Sequence, residues 1–312
     1  MSRPDSTRPG LINESPEKLM ERLYKYEIFR AEANQVRIKD KKQIRELFRQ
    51  FRPRELLIGI GFQRAYGSIL SGDYFDLFRL SDRNFLFVFA DISGHGLPAY
   101  TTLIRLKSAI IIAVKEMEGI FNRTGILDYS YLIRSITIKF TDVMDMSNSN
   151  DFASVNFIFF EDNNGQIRLR FFNRSMLFPI VIQRDTDCNR VVNLNYPHDN
   201  WKPDKGYLIG SDIKSLIEPD VYYHTPECCF DLNQGDQVLF YTDGITEAFD
   251  YDHGKNQYGE SRLEQKMLEM SDLPPQLIIN NIFDSVYDFI GSHEHQKDDM
   301  TAVLIDLPLK AV

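Results

Sequence analysis

The sequence predicts an α+β fold, a sandwich of antiparallel strands with helices inserted in blocks. Three observations predict it. Strand-like runs recur from about residue 55 and come in pairs joined by turn residues, as hairpins do. The run "NFLFVFA" is apolar at nearly every position, as a strand covered on both faces would be. The helical stretches are grouped together instead of alternating with strands, which argues against a Rossmann-type sheet.

The elements follow in chain order. Residues 1–14 carry no pattern and are expected to be a disordered tail. "SPEK" opens a helix, with Ser15 as cap, Pro16 in the first helical position and Glu17 at the positive end. Helical character then runs through 15–52, where Ile44, Leu47, Phe48 and Phe51 form an apolar stripe. Its middle is too polar for a coiled-coil seam, so it reads as a regulatory or dimerising helix or as one docked on its own domain. One domain is expected over 53–310. "LLIGIGFQRAYG" is a strand, and "YFDLFRL" and "NFLFVFA" form a hairpin. A long helix, "LPAYTTLIRLKSAIIIAVKEM", has Pro98 in its first turn and Gly119 just past its expected end; a second covers "SYLIRSITIKFTDVMDM". "FASVNFIFF" and "QIRLRFF" flank an Asn-Gly turn. "LFPIVI", "YLIG" and "QVLFY" continue the sheets, helices near 260–271 and 274–290 follow, and "MTAVLIDL" is the last strand.

Composition narrows the function classes. The chain has 312 residues, is 43% apolar and carries a net charge of −9. Twelve Lys/Arg against six Asp/Glu between Glu17 and Arg54 give that segment +6, leaving −15 for the rest. An acidic body repels nucleic-acid backbones and suits divalent cations or basic partners. The longest strongly apolar stretch, "SAIIIAV", is far short of the roughly 20 residues of a membrane helix, and no secretory signal opens the chain. A cytoplasmic protein without membrane insertion is expected. Cys188, Cys228 and Cys229 match neither a disulfide framework nor zinc spacing, and His293 and His295 read as a solvated loop.

Chemistry concentrates at acidic turns. Asp73 and Asp76 lie in "SGDYFD", Asp91 ends "FLFVFAD", Asp243 follows "QVLFYT", and Asp298 and Asp299 lead into the last strand. An Asp after an apolar strand is costly unless its charge is solvated or bound by a cation. Each alone could be an ordinary turn or capping residue. Together, two of them beside glycines, they suggest a binuclear hard-oxygen site for Mg²⁺ or Mn²⁺.

In order and spacing, "SGDYFD", "ADISGHGLPA", "LFYTDGITEAFD" and "DDMTAVLI" resemble the PPM-type (type-2C) protein phosphatases, most closely their SpoIIE-like bacterial branch. A diguanylate cyclase signature, the competing reading of "SGDYFD", would have an acidic residue where Tyr74 stands. The resemblance covers nearly everything after residue 53. It implies a central β-sandwich flanked by helices, with two divalent cations (Mn²⁺ or Mg²⁺) at one end. It implies that Asp91 bridges both metals, that Asp73 and the carbonyl of Ile92 serve one, and that Asp243 and Asp298 serve the other. Asp299 is left as a supporting residue and Asp76 as structural. The chemistry implied is hydrolysis of phosphoserine or phosphothreonine by metal-activated water, in line and without a phospho-enzyme. His95 is a candidate proton donor to the leaving oxygen; a histidine that only shapes the turn is the alternative.

The match departs from the family in two places. Ser71 stands where relatives carry a first glycine, and "NRSM" (173–176) stands where they carry Asn-Ala-Gly-His. Arg174 is expected there as a phosphate-binding residue, from its charge and position. The stretch 183–206 has no clear family counterpart. By resemblance the substrate is a phosphorylated regulatory protein of the anti-sigma factor antagonist type, with a separate sensory activator and a homodimer through the N-terminal helix as an option. The rival readings are a non-catalytic phosphatase-fold binding module and an enzyme on small phosphoesters.

Overall fold

The computed structural model describes Glu46 and residues 56–307, apart from 69, 148, 164–165, 185–188 and 251–255. The chain divides between Asp40 and Lys41, and all described residues fall in the second unit. The tail expected over 1–14 lies outside the described residues. So does the helix expected over 15–52, except for Glu46, which is helical.

The first strands are β1 (Leu57–Gln63), β2 (Tyr74–Arg79), β3 (Asn84–Ile92), β4 (Phe152–Asn163) and β5 (Gln166–Arg174). Then come β6 (Ile180–Arg184), β7 (Asn189–Asn193), β8 (Ile209–Gly210), β9 (Glu227–Leu232), β10 (Gln237–Tyr241) and β11 (Met300–Asp306). They form two sheets, ordered β1-β11-β10-β6-β7 and β2-β3-β4-β5-β9, with the short β8 on the start of β4. Every pairing between named strands is antiparallel. The expected α+β sandwich is present.

The apolar run of β3 explains the layering. Phe85, Phe87 and Phe89 point between the sheets, where Phe87 meets Phe240 of β10 edge-on at 5.1 Å. Such a pair adds about 0.5–1.5 kcal/mol beyond the area it buries. Leu86, Val88 and Ala90 point the other way, under α1 (Gly96–Thr124) and α2 (Tyr129–Met146). The short α3 (Ser211–Ser215), α4 (Pro219–Tyr223) and α5 (Asp243–Thr246) follow in the chain. On the far side, α6 (Glu260–Glu269) and α7 (Pro275–Ile290) cover Leu239 and Tyr241 of β10 and Leu304 of β11. Both central strands are therefore buried on both faces, as an unbroken apolar run requires.

Helix α1 corrects one boundary. It runs through Gly119 and ends at Gly125, whose φ of 70° and N–H bond to the Phe121 carbonyl close the last turn. At 29 residues it is long and apolar enough to cross a bilayer by length and composition. Here Leu103, Leu106, Ile110, Ala113 and Met117 recur at helical spacing and are buried against the sheet and α2, as in a core helix.

Candidate metal centre

The acidic turns meet where three strands of the first sheet and two of the second end together. β11 lies between β1 and β10, so the residues entering β11 sit beside those leaving β10. The Thr242 N–H donates to the Thr301 carbonyl at 3.0 Å, and the Thr301 N–H donates to Thr242 Oγ1 at 3.0 Å. Both hydroxyls then converge on one carboxylate oxygen. Asp73 Oδ2 accepts from Thr301 Oγ1 at 2.6 Å and from Thr242 Oγ1 at 3.0 Å. Asp299 works in the opposite direction: its Oδ1 accepts from the Ala65 N–H and its Oδ2 from the Gly72 N–H, both at 2.9 Å. It pins the two ends of the loop that leads into Asp73.

Two glycines bring the turns into contact. A Cβ on Gly72 would lie 2.8 Å from the Ile92 carbonyl oxygen, and one on Gly244 would lie 2.0 Å from the Asp299 carbonyl oxygen. Only a residue without a side chain permits either approach. Four sequence segments far apart in the chain are thereby locked into one cluster. Ser71 does not strain it. Its backbone stays out of the positive-φ region, which Ser175 and Asp199 alone occupy among the described non-glycine residues, and its Oγ accepts from the Asp73 N–H at 3.0 Å.

The electrostatics show how close the carboxylates stand. Burial pushes the Asp91 carboxyl up to about 9, and Asp73, Asp243, Asp298 and Asp299 add to the rise. Burial raises Asp73 well above the usual carboxylate range; Asp299 adds to this, and the two threonine hydroxyls partly offset it. Asp243 is raised by burial and by Glu247. Asp298 is raised by burial, with the Asp299 N–H and His95 acting to lower it and Asp243 and Asp299 to raise it. None of these carboxylates is ion-paired to a Lys or Arg among the described residues. A buried, mutually repelling set of oxygen donors without a protein counter-charge fits hard divalent cations. Among the described residues no group of three or more His, Cys, Asp or Glu side chains is arranged to hold a metal ion as it stands.

The structure brings together Asp73, Asp91, Ile92, Asp243 and Asp298, with His95 within electrostatic reach of Asp298. Asp76 stands apart: it accepts from the Tyr74 hydroxyl and pairs with Lys107 at 3.3 Å, a structural role. Sequence reasoning missed Thr242 and Thr301, although each stands within two residues of a candidate aspartate in "YTDG" and "DDMT".

Arg174 requires a correction. It is fully buried, and its Nη1 donates to the carbonyls of Tyr222 at 2.6 Å and His224 at 3.3 Å and to Thr225 Oγ1 at 3.2 Å. Burial lowers its pKa to about 10. A guanidinium enclosed in this way does not face a substrate phosphate. Its neighbours adapt the turn: Ser175 adopts φ 58°, a region that favours glycine, and donates from Oγ to the Gly206 carbonyl at 2.9 Å. Asn173 holds both the N–H and the carbonyl of Met176. Met176 Sδ lies 3.1 Å from Ser154 Oγ, which also contacts the Asp91 carbonyl.

Comparison with known proteins supports this picture. Residues 81–308 match the family model described as stage II sporulation protein E (SpoIIE). No curated protein matches the sequence significantly. The SiaA-PP2C domain of Pseudomonas aeruginosa superposes with a TM-score of 0.61 at 15% identity, covering 93% of this chain and 97% of that one. The PP2C phosphatase domain of SpoIIE from Bacillus subtilis, with a fragment of its regulatory domain, gives 0.57 at 18% identity, covering 83% and 64%. The RsbU and RsbW domains of Rv1364c from Mycobacterium tuberculosis give 0.58 at 16% identity, covering 82% and 61%. At these identities the likeness shows a shared fold.

Proposed function

This chain belongs to the SpoIIE family of PPM-type phosphatases, and from that premise we propose that it hydrolyses phosphoserine or phosphothreonine on a regulatory protein. The observation that carries the reading is the cluster of Asp73, Asp91, Asp243 and Asp298, locked together by Gly72, Gly244, Asp299 and the two threonines. Asp91 would serve both of two divalent cations, Mn²⁺ or Mg²⁺. Asp73 and the Ile92 carbonyl would hold one, and Asp243 and Asp298 the other. When bound, the cations supply the activation of water and the neutralisation of the phosphoryl oxygens.

The rest falls to the chain. Thr242 and Thr301 occupy Asp73 Oδ2, which leaves Oδ1 to turn toward a cation. Asp299 uses both oxygens on backbone N–H groups and so acts as a brace. His95 is exposed, begins α1 and makes no capping bond with its side chain. The left-handed positions of its turn fall to Gly94 and Gly96. The ring is therefore free of turn-shaping duty and suited to give its proton to the leaving serine or threonine oxygen. The RsbU- and SpoIIE-type neighbours favour a partner-switching role. The substrate is then an anti-sigma factor antagonist-like phosphoprotein, under a separate sensory activator and in the cytoplasm.

The test is phosphate release from a phosphoserine protein and from small phosphoesters, with and without Mn²⁺, for the wild type and Asp91→Asn. Metal-dependent release from the protein substrate, lost in the variant, is the expected result. Release only from small phosphoesters would move the substrate class. Metal binding without any release would favour a non-catalytic binding module.

A further inference from the structure

The turn at residues 173–176 carries a buried guanidinium that the proposed reaction does not use. Among the described residues Arg174 Nε and Nη2 have no hydrogen-bond partner, while Nη1 gathers Tyr222, His224 and Thr225. Burying a charge with unpaired donors is unfavourable, and an apolar side chain of similar volume would fill the same space without that cost. What the arginine does accomplish is to hold one excursion of the chain. Gly206 N–H donates to the Asn173 carbonyl at 2.8 Å, and a Cβ on Gly206 would lie 3.2 Å from Arg174 Cδ. The Tyr222 hydroxyl, on the residue whose carbonyl Arg174 grips, accepts from Gly210 N–H at 3.0 Å and contacts the Gly210 carbonyl at 3.2 Å.

Gly210 belongs to β8, which pairs with Phe152 and Ala153 at the start of β4. Phe152 is in turn bonded both ways to Ser93. The Ser93 N–H donates to the Phe152 carbonyl at 2.9 Å, and the Phe152 N–H donates to Ser93 Oγ at 3.0 Å. Ala153 lies opposite Ile92, whose carbonyl is the proposed metal ligand. A path of hydrogen bonds and strand pairing therefore leads from Arg174 through Tyr222 to Gly210, across the β8–β4 pairing to Phe152, and on to the Ile92–Ser93 turn.

We propose that Arg174 is a positioning residue: by clamping residues 206–225 it makes β8 a splint for the turn that presents the Ile92 carbonyl to the metal. This rests on the metal-centre reading given above. The clamp is a property of this chain's Arg-Ser-Met turn, because a small residue at 174 could not reach Tyr222.

The experiment is hydrogen exchange by mass spectrometry, together with calorimetric Mn²⁺ titration, on the full chain as wild type, Arg174→Met, Arg174→Lys and Tyr222→Phe. In Arg174→Met, amides of 206–225 and the Ser93 amide should exchange about tenfold faster while β10 and β11 keep wild-type protection. Mn²⁺ affinity should fall about tenfold, as for other residues that orient ligands, and Arg174→Lys should recover part of both. Loosening of 206–225 with Ser93 protection and Mn²⁺ affinity intact would overturn the proposal. If Arg174→Met loses protection throughout, Tyr222→Phe decides, because it cuts the same path at Gly210: faster Ser93 exchange supports the splint, and unchanged exchange refutes it. A wild type that binds no Mn²⁺ would sink the proposed function, while the Ser93 amide would still report on the clamp.

Discussion

Replacing Gly72 with alanine tests the site through a single methyl group. The new Cβ would stand 2.8 Å from the Ile92 carbonyl oxygen, 3.2 Å from the Gly94 carbonyl oxygen and 3.3 Å from Ala99 Cβ. Contacts between heavy atoms of this kind settle at about 3.5 Å, so the Ile92 oxygen must retreat by about 0.7 Å. The turn cannot slide away in compensation, because Asp299 holds the Gly72 N–H from the opposite side. Overpacking of this degree costs about 1–3 kcal/mol. For a domain of this size that corresponds to a loss of roughly 2–10 °C in Tm, and the protein stays folded. A misplacement of about 1 Å can cost about a hundredfold in rate, so about 0.7 Å should lower Mn²⁺ affinity and turnover on the order of twentyfold. Gly119→Ala is the control: its Cβ meets nothing nearer than the flexible end of Arg123 at 3.7 Å, inside α1. It should stabilise by about 0.5–1 kcal/mol and leave metal affinity alone. Thermal unfolding and calorimetric Mn²⁺ titration read both variants. A Gly72→Ala protein with wild-type Mn²⁺ affinity and a lowered Tm would refute the placement of the Ile92 carbonyl in the site.

Three further outcomes follow from the same geometry. Thr301→Val removes the 2.6 Å donor to Asp73 and should destabilise by about 1–3 kcal/mol in thermal unfolding, with a higher Mn²⁺ requirement for activity. Asp91, pushed up to about 9, keeps its proton at neutral pH when no cation is bound, so cation binding should release protons. Calorimetry in buffers of different ionisation enthalpy detects this, and buffer-independent heats would contradict it. By the same sign, the contribution of Asp91 to metal-free stability is full below pH 4 and is lost as pH rises toward 9. Asp236 is buried and raised to about 6, so its charged form opposes folding above that pH. Asp236→Asn keeps an oxygen for the Asn233 N–H and should gain about 1–2 kcal/mol at pH 8, vanishing near pH 4, in pH-resolved denaturation.

What could be read ahead from the residues was whatever is written locally. The run from Phe85 to Ala90 is apolar at every step, and a strand buried on both faces follows from that alone. The acidic turns announce themselves because an Asp after such a strand needs a counter-charge. The parts that could not be read depend on distant partners. Thr301 and Asp73 are separated by 228 positions and Asp299 and Gly72 by 227, so nothing near either residue tells of the bond. Arg174 was expected to meet a phosphate, because its cover comes from residues 206–225, a segment whose short helices α3 and α4 carry no periodicity long enough to recognise. Gly119 suggested a helix end by its identity, yet the left-handed cap six residues later terminated α1.

The place of β11 in its sheet bears on how the protein comes to exist. This late strand fills the gap between β1 and β10, pairing Asp306 with Leu57 across nearly the whole described chain. During synthesis β1 emerges early and waits with an open, apolar edge until β11 arrives, which is the situation in which unpaired edges recruit other chains. Closing so long a loop is slow, so maturation should be limited by this one strand pairing. Asp298 and Asp299 travel with β11, and the proposed cation site therefore cannot form before that strand is made. The acidic cluster and the completed sheet arrive in the same event, and a prematurely released polypeptide lacks the first while it exposes the edge of the second.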